Sequence, residues 1–192
     1  MHDETITIAG IEGLITSLPG MLSYVPDNHL VLIVQSEAED ASVLRVGPVV
    51  SIEINEDLNT STAQAMAAII ADAREYGRTI IEVKPIVITD DVHRRAQAVE
   101  FVDGFLVGLP IMPTVEAAHV HAVTPGAEIT QGGDVMGHVG DWAATAVAAH
   151  AAYEGRQIRQ SQDRWRAEGG LDERADQRRA YREHMENERK TD

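Results

Sequence analysis

Hydrophobic and polar positions follow two rhythms along this chain. Residues 29–35 (His-Leu-Val-Leu-Ile-Val-Gln) form a nearly unbroken apolar run, short and β-branched, as a strand buried on both faces should be. Runs of similar character occupy 43–55, 79–88 and 115–123. Gly47-Pro48 breaks the second, and Pro85 predicts a bulge or a late start near Ile86 in the third. Between them the period changes. Over 60–76, Ala65, Ile69, Ala73 and Tyr76 share one helical face, Ser61-Thr62-Ala63-Gln64 matches a capping box, and Gly77 suits the C-terminal end. A second helix is expected from Asp91 to about Val107, stopped by Leu109-Pro110, and an Ala-rich third over 142–153, ended by Gly155. Near the N-terminus, 5–8 alternates like a short strand and 11–24 reads as helix, with a fresh start at Ser17 ahead of Leu18-Pro19. Residues 124–140 are glycine-rich and read as irregular.

Strands alternating with helices imply βαβ units. The link between 35 and 43 is too short for a parallel crossover, so that pair should be an antiparallel hairpin. The expected fold is therefore α/β: a mixed, mostly parallel sheet flanked by helices. From Ser161 the chain turns almost wholly charged, and Gly169-Gly170 splits it in two. This predicts an acidic α/β domain over 1–158 and a charged helical tail over 159–192.

Charge sharpens that division. Residues 1–155 hold 6 basic and 22 acidic groups, whereas 156–192 hold 10 and 9. An acidic body repels phosphate backbones, which argues against nucleic-acid binding through it. In the tail, the arginines alternate with Asp and Glu, the pattern of charge pairing along a helix face. Leu171, Ala175, Tyr181 and Met185 supply a thin apolar stripe. With Arg174 and Arg178 beside it, that stripe could dock on a protein partner or on another copy of the chain. The chain has no cysteine, which excludes disulfides, thiolate metal sites and a cysteine nucleophile. Met1-His2-Asp3-Glu4 lacks the positive start of a secretory leader, and no apolar run approaches the ~20 residues that span a bilayer. A cytoplasmic protein without membrane attachment is expected.

Two groups of residues could carry chemistry. Thr89-Asp90-Asp91 follows a strand end, the place where open α/β sheets bind ligands, with His93 close by. Such carboxylates could hold a cation or position a water; Thr and Asp there are also ordinary helix caps. His119 and His121, two apart in a predicted strand, would face the same way, and His138 with Asp141 could complete a metal site. Asp27-Asn28-His29 lies at the amino end of its strand, on what the parallel-sheet expectation makes the wrong side for that crevice. The sequence holds no phosphate-binding Gly-rich loop ending in Lys-Ser/Thr, no Gly-x-Ser-x-Gly elbow and no Gly-x-Gly-x-x-Gly run.

The stretch Ile15-Thr16-Ser17-Leu18-Pro19-Gly20-Met21-Leu22-Ser23-Tyr24-Val25-Pro26-Asp27-Asn28-His29-Leu30-Val31-Leu32 resembles the opening of an actinobacterial family, domain of unknown function 4192. Pro19, Leu22, Tyr24 and Pro26 fall in step with it, while Ser23 stands for a glycine and His29 for a serine. Arg45-Val46-Gly47-Pro48, Val87-Ile88-Thr89-Asp90-Asp91, the Ala-rich segment 144–155 and Ser161-Gln162-Asp163 continue the resemblance in order. The Trp- and Cys-containing segment common before the last helix is replaced here by 124–140. The resemblance implies a bacterial or phage cytoplasmic setting and supplies no cofactor or mechanism.

Three functions remain in view. The first is a non-catalytic interaction or regulatory module. The second is a hydrolase or nucleotide-binding enzyme using Thr89, Asp90, Asp91 and His93. The third is a metal-binding protein using His119, His121 and His138.

Overall fold

The computed structural model describes residues 6–37, 44–75, 79–106 and 116–170, together with Asp172, Ala175, Asp176 and Arg179. Of the tail residues expected to dock, Leu171, Arg174, Arg178, Tyr181 and Met185 lie outside the described residues.

The chain opens into helix α1 (Gly10–Leu22), then strands β1 (His29–Glu37) and β2 (Leu44–Glu53), helix α2 (Leu58–Glu75) and strand β3 (Ile80–Ile88). Helix α3 (Val92–Phe101) runs on into one π-helical turn, Val102–Leu106. Strands β4 (Ala118–Val120), β5 (Glu128–Gln131) and β6 (Asp134–His138) precede a short 3-10 turn, helix α4 (Ala146–Tyr153) and helix α5 (Gln162–Ala167).

The six strands form one sheet in the order β2-β1-β3-β4-β5-β6. It is mixed, as expected, but not mostly parallel: β3–β4 is parallel and the other four neighbouring pairs are antiparallel. The reason lies in where β1 sits. Helix α2 does join two strands of like direction, β2 and β3, but β1 lies between them and runs opposite to both. Only α3 links adjacent parallel strands. The stretch expected to be irregular, 124–140, holds the β5–β6 hairpin. Gly132 and Gly133 turn it with φ of +60° and +92°, the left-handed values a two-residue hairpin turn demands.

Both faces of β1 are covered, which explains its apolar run. Val31 and Ile33 pack with α1, Tyr24 and Trp165, while Leu30, Leu32 and Val34 pack with α2, α3 and Val102. Burying a side chain of this size contributes roughly 1.5–3 kcal/mol, so this strand anchors two cores at once. The Gly47-Pro48 break is a bulge: the register with β1 shifts there, on a sheet edge where a missing N–H costs no ladder bond. Pro85 is tolerated because β4 pairs only with Ile86–Ile88, leaving that part of β3 bonded on one side. Helix α1 continues through Pro19 rather than restarting at Ser17, and ends at Ser23 in a left-handed conformation whose N–H donates to the Pro19 carbonyl. Residues 6–8, the described part of the strand expected over 5–8, form no regular element.

Residues 159–170, expected to begin the tail, are fastened to the body. Arg159 forms a parallel bridge with Tyr24, and its N–H donates to the Ser23 carbonyl at 2.9 Å. Trp165 is 3% exposed, with its ring 5.5 Å from that of Tyr24. Gly170 lies so close to the indole that a Cβ there would overlap it.

Candidate functional site

The antiparallel arrangement brings unexpected neighbours together. His29 pairs with Ile88, so the amino end of β1 lies beside the carboxyl ends of β3 and β4. Asp27-Asn28-His29 is thus at the same sheet end as Thr89-Asp90-Asp91, not on the wrong side. A parallel β1–β3 pair would have separated them.

At this end Thr89 and Asp91 are bonded into the fold. Thr89 is buried, and its hydroxyl donates to Asn28 Oδ1 at 2.7 Å while accepting from the Asp91 N–H at 3.1 Å. Asn28 holds φ at +54°, a conformation Asn tolerates, and its carbonyl accepts from the Ile54 N–H. Asp91 is the N-cap of α3: one carboxylate oxygen accepts from the His93 and Arg94 N–H groups at 2.8 and 3.2 Å. Those bonds, Arg94 first, hold its carboxyl below the usual range, and the nearby Arg94 charge adds to them. Asp90 and the His93 side chain are exposed. The acidic pair therefore lies at a strand's carboxyl end and a helix's start, as the sequence predicts, with Asp91 spent on the helix.

The histidines separate. His119 is half-buried on the α3 side of the sheet, and its Nε2 lies 3.0 Å from the Thr89 carbonyl. Burial pushes its pKa down, the Arg95 and His121 charges push the same way, and the Thr89 carbonyl opposes them. His121 is exposed just beyond β4, and His138 ends β6, two strands away. Among the described residues no three His, Asp or Glu side chains gather as a metal ion would need.

On the opposite face His29 completes a second network that sequence reasoning missed. Its Nδ1 bonds the Asp27 carbonyl, its Nε2 lies 3.1 Å from Gln162 Oε1, and Gln162 Nε2 donates to the Tyr24 hydroxyl at 3.1 Å. Helix α5, capped by Ser161, thus closes this sheet end with Gln162 and Trp165. Partners separated by 133 positions leave no local signal in the sequence.

A groove of about 390 Å³ opens elsewhere, between α1, residues 6–9, the end of β6 and the start of α4. Along α1, Glu12 accepts from the His138 N–H at 3.2 Å, Thr16 from the Gly140 N–H at 2.9 Å, and Gly20 touches Val147. These three, each four residues apart, stitch one helix face to the returning chain. Gly13 and Ser17 line the groove beside them. Neither Thr89, Asp90 nor Asp91 borders it.

A mixed six-stranded sheet with its helices on both faces, closed at one end by its own C-terminal segment, defines the class of this protein. Within that class the chain belongs to the family described as Domain of unknown function (DUF4192), whose profile matches residues 12–191. Neither the curated proteins nor the solved structures provide a match. No helix among the described residues is long and apolar enough to cross a membrane.

Proposed function

We propose that this protein is a non-catalytic interaction module of the cytoplasm. In this reading the body, residues 1–158, presents acidic surface, and the segment 159–192 presents arginines to a protein partner. The observation that carries it is the anchoring of the segment's root. Trp165 and Arg159 are buried at the sheet end, against Tyr24, so the charged residues beyond Gly170 depart from a fixed point on the body. The engagement of Thr89 and Asp91 in bonds that hold the fold supports the same reading, since a hydroxyl already donating to Asn28 is a poor nucleophile.

The partner favoured by charge is a second copy. Its acidic body, with 22 acidic and 6 basic groups in 1–155, complements Arg174 and Arg178, and Leu171, Tyr181 and Met185 would provide the apolar contact. Sedimentation velocity of the full-length protein tests this. Self-association should weaken with rising salt and in Arg174→Glu/Arg178→Glu, with the circular dichroism spectrum unchanged. A monomer at every concentration and low salt, or an assembly indifferent to the double substitution, would sink it.

A further inference from the structure

The two faces of the sheet are not equally covered. The core beneath α2 and α3 draws on β1, β2 and β3 and includes no residue of β5 or β6. On the other face, Ile129 joins the core under α1, and Gly137, paired with it, sits against Glu12. Side chains alternate along a strand, so Glu128 and Thr130 point to the α3 side, and Val135, paired with Thr130, points there too. Met136 is the extra residue of a bulge between these pairs. Val135 is 56% exposed and Met136 46%, side by side on a strand at the sheet edge. The other large exposed apolar residues, Leu44, Val92 and Tyr153, lie in three separate elements.

The charge around this pair is of one sign. Residues 96–155 hold seven acidic groups and no Lys or Arg. Asp134 directly precedes the pair, Glu128 shares the strand face of Val135, and Glu116 lies against the hairpin turn at Gly132. All three are exposed, and none is in an ion pair among the described residues. An apolar pair rimmed by carboxylates complements a helix face that carries apolar side chains and arginines together. The C-terminal segment offers one. Gly170, Asp172, Ala175, Asp176 and Arg179 are helical. Continued at that period, the sequence puts Leu171, Arg174, Ala175, Arg178, Tyr181 and Met185 on one face about 120° wide. Ala175, on that face, is exposed.

The segment leaves its own body on the α1 side, at Gly170 against Trp165, whereas Val135 points to the α3 side. A helix continuing from Gly170 cannot round the sheet to reach it, so the hairpin it meets belongs to another copy. We propose that the β5–β6 hairpin of one copy seats the segment 171–192 of another. Val135 and Met136 then meet Leu171, Tyr181 and Met185, while Glu128 and Asp134 meet Arg174 and Arg178. The exchange is reciprocal, so two copies close a dimer through two such contacts. This rests on the self-association proposed above and adds the surface that receives the arginines.

The test is sedimentation velocity of the full-length protein at low salt. Val135→Ser/Met136→Ser should weaken self-association about tenfold or more, and so should Glu128→Arg/Asp134→Arg. Thermal melts should be unchanged, since all four side chains are exposed. Mixing decides the pairing. Glu128→Arg/Asp134→Arg and Arg174→Glu/Arg178→Glu proteins, each weakened alone, should form a mixed dimer, because each reversed hairpin then faces a reversed segment and each native hairpin a native one. A mixture that stays monomeric would overturn the proposal. If Arg174→Glu/Arg178→Glu dissociates while both hairpin variants assemble like the native protein, the arginines dock elsewhere: this proposal falls and the self-association reading stands. A native protein that never associates removes both. Should Val135→Ser/Met136→Ser fail to fold, the charge reversals alone give the answer.

Discussion

The sheet end and the groove are built from similar residues used in different ways. Each holds a buried hydroxyl, an acidic side chain and the start of a helix. At the sheet end, Thr89 donates to Asn28 and accepts from Asp91, and Asp91 caps α3. In the groove, α1 has no side-chain cap, and Glu12 and the buried Thr16 instead accept from the His138 and Gly140 N–H groups of the returning chain. The lesson is that residue types alone do not say what a polar group does, whereas its bonding does: one set closes a sheet end, the other stitches a helix to a distant segment.

The comparison breaks most readily at the sheet end's lid. Trp165 fills the space between Tyr24 and Gly170 and belongs to the core on the α1 face. Trp165→Ala should cost about 3–5 kcal/mol, the range for deleting a buried aromatic. Urea denaturation monitored by far-UV circular dichroism would report it. A cost below ~1 kcal/mol would mean that 159–170 is only lightly attached. The sheet end would then be as open as the groove, and the proposed anchoring of the charged segment would fail.

A smaller effect sharpens the contrast between the two hydroxyls. Thr89→Val keeps the shape and leaves Asn28 Oδ1 and the Asp91 N–H without their partner, so it should cost about 1–3 kcal/mol. Thr16→Val, in the groove, removes the acceptor of one backbone N–H, that of Gly140, so it should cost less, about 0.5–1.5 kcal/mol. Equal losses in the two variants, measured by the same denaturation, would erase the distinction between the sites.

The sequence revealed the elements better than their arrangement. The apolar run of β1, the helix expected over 60–76 and found over 58–75, and the helix start expected at Asp91 and found one residue later were legible because each rests on local physics: burial on two faces, a helical period, Thr and Asp before a helix. Strand directions were not. A helix between two strands implies that they run alike, but not that they are neighbours, and β1 inserts between β2 and β3. The Asp27-Asn28-His29 turn was therefore set on the wrong side, and the contacts of Asn28 with Thr89 and His29 with Gln162 went unseen. The β5–β6 hairpin had a usable signal in Gly132-Gly133 between Ile129 and Val135, masked by the abundance of glycine around it. The groove had none, because Glu12 and Thr16 meet their N–H partners across 126 and 124 positions.

The smallest expected effect concerns His119, which joins the two faces of the sheet end through the Thr89 carbonyl. Burial lowers its pKa below the ordinary 6.5, and the Arg95 and His121 charges add to the lowering. The folded protein thus holds this proton less tightly than the unfolded chain does. Its contribution to stability is complete above 6.5, declines as the pH falls through 6.5 towards the folded value, and is constant below that. His119→Gln retains a donor for the Thr89 carbonyl but does not titrate. Denaturation midpoints of the two proteins, compared from pH 8 down to about pH 5, isolate this group from the other histidines. The native protein should lose more stability than the variant over that interval. Parallel curves would mean that His119 is as accessible to protons as a histidine on the open surface. The sheet end would then be looser, at its α3 face, than its hydrogen bonds imply.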